Sequence, residues 1–165
     1  MNLARFAAHM LATRRRVQRH FPPALQSAIA AAVTQSEAQH GGELRFVIEA
    51  SLEPHQLLRG TTPRERAIEV FSHLRVWDTQ DNSGVLIYIL FADRAIEIIA
   101  DRGIDAKSGR AAWDRIAADM QSAFAQGAFE RGALEGIAKV SEELATHAQP
   151  VSAPRNELPN DATFL

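Results

Sequence analysis

Apolar positions along this chain recur with two periods, and the switches between them divide it into helices and strands. Leu3, Phe6, Met10 and Val17 mark one face of a helix over residues 1–21, with Arg5, Arg14, Arg15, Arg16 and Arg19 around it. Phe21-Pro22-Pro23 ends that segment, because proline cannot continue a helix. Leu25, Ile29, Ala32 and Val33 stripe an Ala-rich helix over residues 24–39, which Gly41-Gly42 closes. In residues 44–49, Leu44, Phe46 and Ile48 alternate with Arg45, Val47 and Glu49, the pattern of a strand with one fully apolar face. A polar loop follows. Thr62-Pro63-Arg64-Glu65 then starts a helix, with Thr at the cap, Pro at the first helical position and Glu three residues after the cap; Ala67, Ile68, Phe71 and Leu74 form its buried stripe.

Residues 85–91 are apolar without alternation, so both faces of this strand must be covered, as in the centre of a layered α/β domain. Ala92-Asp93-Arg94 reverses the chain, and residues 95–100 return as the second strand of an antiparallel hairpin. Two helices complete the pattern: residues 109–125, with Trp113, Ile116, Ala117, Met120 and Phe124 at helical spacing, and residues 128–146, with Leu134, Ile137, Ala138 and Leu144. Phe129 and Gly132 suit close packing between them. The expected organisation is a basic amphipathic helix over residues 1–21, an α/β domain over residues 22–147 and a disordered or extended tail over residues 148–165, which is too rich in Pro, Ser, Asn and Asp to fold alone.

Composition narrows the chemistry. A chain of 165 residues can bury one full core, and with no Cys it has no disulfide, no thiolate nucleophile and no iron–sulfur cluster. The six His residues, His9, His20, His40, His55, His73 and His147, never fall three or four apart, so a zinc site is not expected. His73, near a helix end, suits a structural role at the helix dipole. Nor is there a glycine-rich nucleotide loop. The longest unbroken apolar run is far shorter than the roughly 20 residues a membrane-spanning helix needs, and arginines stand where the apolar core of a secretory signal would extend. A cytoplasmic protein, peripheral to the inner membrane, is the resulting expectation.

Charge is distributed unevenly. Residues 1–36 carry five Arg and no acid, whereas residues 37–165 carry 13 Lys/Arg against 20 Asp/Glu. An acidic body argues against nucleic acid as a partner. The basic first helix has two readings: packing on the domain through Leu3, Phe6 and Met10 with its arginines in water, or contact of residues 1–20 with an anionic membrane surface, for which a targeting presequence would have a similar composition.

A hairpin turning at Asp93 and Arg94 sets its own register: Val85 lies near Asp101, and Asp81 faces Asp105 to within a residue or two. One end of the hairpin then gathers Asp78, Asp81, Asn82, Asp101 and Asp105, all oxygen donors of the kind that hold calcium. Arg94 and Arg102 are candidate phosphate or anion contacts, and Trp77 a candidate rim of the cleft. The same Asp-Asn-Ser-Gly string would also make a good turn without an ion.

Asp81-Asn82-Ser83-Gly84-Val85-Leu86-Ile87, Asp93-Arg94, Gly103-Ile104-Asp105, the run from Phe124 to Phe129 and Gly132 together resemble the TPM-domain family of bacterial envelope and thylakoid lumen proteins. The likeness spans about residues 23–147. It implies a three-layer α/β/α sandwich with a small mixed sheet, calcium held by acidic loops and an acid phosphatase activity. The chain departs from the family pattern at Ser83, inserted into the usual Asp-Asn-Gly, at Asp101 and Arg102, where Gly and an aromatic are common, and at Ala128, in place of an Asp. The functional expectation is a calcium-binding interaction module without strong catalysis, working through another protein; the alternative is a metal-dependent acid phosphatase.

Overall fold

The computed structural model describes residues 3–79, 81–148 and 157–165. Its sheet is built on two parallel strands, β1 (Glu43–Glu49) and β2 (Gly84–Leu90), with Glu43 opposite Gly84 and Glu49 opposite Leu90. β3 (Ala95–Ala100) returns antiparallel to β2 with Val85 opposite Ala100, one residue from the register expected. β4 (Thr163–Phe164) adds parallel to the free edge of β1, so the order is β3-β2-β1-β4. All seven residues of β2 are buried, as an apolar run without alternation requires.

Helices cover both faces, giving the α/β/α sandwich. On one face, α3 (Pro23–Glu37), α7 (Arg110–Ala125) and α8 (Phe129–His147) bury Ile29, Val33, Trp113, Met120, Ile137 and Val140 against Leu44, Phe46, Ile48, Ile87 and Ile98. On the other, α5 (Pro63–His73) packs Ala67, Val70 and Phe71 against Val47, Leu86 and Tyr88. Each of the larger aliphatic and Phe side chains contributes roughly 1.5–3 kcal/mol by leaving water. α5 starts with the expected capping box: Thr62 Oγ1 accepts the Glu65 N–H at 3.2 Å, and the Glu65 carboxylate accepts the Thr62 N–H at 2.8 Å. Glycine lets α7 and α8 approach, since a Cβ on Gly136 would stand 2.4 Å from Met120 Sδ and one on Gly132 2.8 Å from the Phe124 ring.

Several elements differ from the pattern expected. The basic segment is two helices, α1 (Leu3–Leu11) and α2 (Arg14–His20), separated where Thr13 caps the second by accepting the Arg16 N–H. α1 packs inward through Phe6, as expected, and through His9, whereas Leu3 and Met10, expected to pack with Phe6, are 74% and 51% exposed. The polar loop before α5 contains a short helix, α4 (Pro54–Arg59). Asp101 does not simply end a strand but caps α6 (Arg102–Ser108). Ile68 is exposed.

Both faces of β1 are buried, because Arg45 and Glu49 find partners inside. Glu49 accepts from Tyr88 Oη at 2.6 Å and from Arg66 Nε at 2.9 Å. Arg45 donates to the Pro159 carbonyl and to Thr163 Oγ1, while the Glu43 carboxylate accepts the Glu157 and Leu158 N–H groups at 3.1 Å. Over residues 157–165 the tail is extended along the sheet: two buried charges on β1 hold it, and Leu158 joins the core. Residues 149–156 lie outside the described residues.

Candidate functional site

The loop between α5 and β2 is held close to the end of the sheet by small residues. A Cβ on Gly84 would lie 1.9 Å from the Val76 carbonyl oxygen, so only glycine lets the loop pass there. Ser83 ties it down, with its N–H on Thr79 Oγ1 at 3.1 Å and its hydroxyl on the Gly41 carbonyl at 3.1 Å. Asn82 takes the left-handed conformation, φ 49°, which Asn tolerates better than most residues. Its carbonyl faces the first turn of α6, where a Cβ on Gly103 would come within 2.6 Å of it.

Asp101 stands at the junction of β3 and α6. Its N–H donates to the Gly84 carbonyl at 2.8 Å, completing the hairpin, and its Oδ1 accepts the Arg102 N–H at 2.7 Å. The residue is 8% exposed, and Oδ2 is buried with no hydrogen-bond partner. Trp77, Asn82, Asp101, Arg102 and Gly103 line a cavity of about 500 Å³ at this point. Four of the residues singled out from the sequence therefore meet: Trp77, 49% exposed at the rim, with Asn82, Asp101 and Arg102.

The other candidates stand apart. Strand pairing stops at Val85 and Ala100, and α6 turns Asp105 away, its N–H bonding the Asp101 carbonyl at 2.8 Å, so Asp105 does not face Asp81 across a ladder. Asp78 and Asp81 are exposed outside the cavity lining. Among the described residues, no group of three or more His, Asp or Glu is arranged to hold a metal ion. Arg94 lies at the far end of the hairpin, in the turn its N–H closes on the Phe91 carbonyl at 3.1 Å, with φ 53°. Gly103, quoted from the sequence only for the family resemblance, also lines the cavity, a role the sequence reading did not give it. The signal was the Asp101-x-x-x-Asp105 spacing, which reads as a helix start and brings residues 102 and 103 into the first turn.

At that far end, Arg5 forks onto Asp93, with Nη2 on Oδ2 at 2.8 Å and Nε on Oδ1 at 3.0 Å, and reaches the Thr61 carbonyl at 2.8 Å. His9, fully buried, accepts the Leu52 N–H on Nδ1 at 2.9 Å and so presents Nε2–H to Asp93 Oδ1 at 3.0 Å. His40 is similar: Nδ1 accepts the Gly42 N–H at 3.2 Å, and Nε2 meets Ser36 Oγ at 2.9 Å and Ser141 Oγ at 3.2 Å. Burial lowers the His40 pKa. Neither ring leaves a free nitrogen lone pair with which to act as a base.

A family model of the TPM domain matches residues 18–143. The chain belongs to the TPM-domain family. A similar solved structure is the NMR structure of the BA42 protein from the psychrophilic bacterium Bizionia argentinensis; the two are 30% identical, with a TM-score of 0.74, over 86% of this chain and 92% of that one. No curated protein matches. The cavity at Asp101 lies within the matched TPM domain, whereas α1 precedes it and β4 follows it. Among the described residues, no helix is long and apolar enough to cross a membrane.

Proposed function

We propose that this TPM domain is a divalent-cation-binding interaction module, of calcium type and without strong catalysis, whose cation binds at the Asp101 end of the hairpin. The observation that carries this reading is Asp101 Oδ2, buried and unpartnered on a residue that lines a cavity of about 500 Å³. Leaving such an oxygen unpaired costs about 1–3 kcal/mol, and more when it is charged, and a hard cation would offset that cost. Asp101 would supply the carboxylate and Asn82 an amide oxygen, with water completing the set. Calcium here would supply positive charge. So few protein ligands suit weak binding, of order 10⁻⁴–10⁻³ M. Arg102 beside the cation adds a second positive charge, which favours an acidic group of a partner protein as the occupant of the cavity mouth. The engagement of both buried histidines through Nδ1 supports a role without strong catalysis.

The test is a thermal-shift titration with calcium. The parent gains several degrees at millimolar calcium, Asp101→Asn gains nothing, and Asp81→Ala gains as the parent does. An unmoved parent melting temperature discards the reading. Arg102 in the same cavity favours the acid phosphatase reading as the alternative, with Arg102 holding the phosphoryl oxygens. A chromogenic phosphate ester distinguishes the two, since calcium-dependent hydrolysis lost in both Asp101→Asn and Arg102→Gln would establish the enzyme.

A further inference from the structure

α1 is built inside out. Its polar side chains, Arg5 and His9, point into the protein, and every exposed residue on it is apolar: Leu3, Ala4, Ala7, Met10 and Leu11. At 100° per residue these five span one continuous arc, from Met10 through Leu3, Ala7 and Leu11 to Ala4. Leu3 is 74%, Met10 51% and Leu11 65% exposed. Seven large hydrophobic side chains are exposed among the described residues, and three of them fall in this nine-residue helix, so they form a patch rather than a scatter.

An apolar arc of this kind would ordinarily roll inward. Arg5 and His9 prevent it, because turning α1 over would break their bonds to Asp93, the Thr61 carbonyl and the Leu52 N–H and carry a guanidinium away from its carboxylate. The polar contacts therefore fix the apolar arc toward the outside.

What covers the arc follows from the charge beside it. α2 turns only Val17 and, in part, His20 toward the protein, leaving Arg14, Arg15, Arg16 and Arg19 exposed around the rest of it. No acidic residue occurs before Glu37. Two copies meeting arc to arc would bring these arginine tracks together and repel. An anionic lipid surface satisfies both features at once, taking the apolar side chains below its headgroups and the arginines among its phosphates. We infer that the outward face of α1, with the arginines of α2, docks this protein on an anionic membrane surface. The inference is independent of the cavity at Asp101.

The experiment is co-sedimentation of the full chain with vesicles of phosphatidylcholine alone or mixed with phosphatidylglycerol, with gel filtration of the free protein alongside. The parent binds the mixed vesicles and not the neutral ones, and binding weakens as salt is raised. Leu3→Gln/Met10→Gln/Leu11→Gln loses about tenfold or more in affinity. Arg14→Gln/Arg15→Gln/Arg16→Gln loses about a hundredfold, while the corresponding Arg→Lys triple variant retains binding. All of these side chains face solvent, so the parent circular dichroism and melting temperature are expected throughout; should the apolar triple variant not fold, Leu11→Gln alone must show a partial loss. Binding that ignores lipid charge, equal binding by the variants, or a parent dimer that the apolar variant dissociates would each overturn the inference.

Discussion

Asp93 sits at the hairpin tip between two donors, Arg5 and His9, which join α1 to it. Burial by itself would raise its pKa, but the hydrogen bonds from Arg5 and His9 outweigh burial and hold it below the usual carboxylate range. A carboxyl depressed in the folded state contributes stability that is complete above its unfolded pKa, about 3.9, and is lost as pH falls through the folded value. Asp93→Asn removes that contribution while keeping the shape. Near neutral pH the variant should be less stable by about 1–3 kcal/mol, and the difference should shrink below about pH 4. Melting curves of both proteins across the acid range check this; a difference that stays constant with pH would mean that the charge on Asp93 does not matter.

Between elements, the same logic runs in the opposite direction where α3 meets β1. Burial pushes the Glu37 carboxyl up to about 7; the Leu44 N–H it accepts at 3.0 Å pulls the other way, and neighbouring Glu43 pushes it up again. Glu43 itself faces Glu157 and accepts two N–H groups of the tail, and Arg45 beside it feels Glu37 and Asp161. A carboxyl raised in the folded state contributes stability that is complete below its unfolded pKa, about 4.3, and is lost as pH rises through about 7. The parent should accordingly lose on the order of 2 kcal/mol between about pH 5 and pH 8. Glu37→Gln keeps an oxygen for the Leu44 N–H and should flatten that slope, which denaturant titrations at the two pH values would measure. An unchanged slope in the variant would assign the pH dependence elsewhere.

Elements whose cause is local were legible in the sequence. Thr62, Pro63 and Glu65 announce α5 through its cap, and the Asp93-Arg94 turn with the unbroken apolar run predicts the β2–β3 register to within one residue. Elements whose cause is distant were not. β4 is two residues long and exists because Glu43 and Arg45, more than a hundred residues earlier, hold the backbone beside it. The candidate site divides in the same way. Asn82 and Asp101 meet because both flank the hairpin, whereas Asp81 and Asp105 part because Asp101 starts a helix where an extended ladder was expected. Of the four departures from the family pattern, Asp101 and Arg102 line the cavity beside Trp77, Asn82 and Gly103, whereas Ser83 and Ala128 do not.

Across the whole molecule, the two candidate sites occupy opposite ends of one hairpin. The six residues of β3 separate them by roughly 20 Å, at about 3.3 Å per residue. The charge asymmetry of the sequence foreshadowed this division, since the helices of the basic segment, α1 and α2, reach the main core only through Val17, and the family match begins only at residue 18. α1 is joined to the rest mainly through Arg5, His9 and Phe6, and the sandwich keeps both of its cores without it. Removing residues 1–12 should therefore leave a folded domain, less stable by about 1–3 kcal/mol because Asp93 loses its donors and the Leu52 N–H its acceptor, although water then reaches both. The truncated chain, which keeps the arginines of α2, should bind anionic vesicles about tenfold or more weakly than the intact chain, yet its melting temperature should still rise with calcium as far as that of the intact chain. Loss of the calcium response on truncation, with circular dichroism unchanged, would show that the hairpin transmits between its ends and that the two sites are one system.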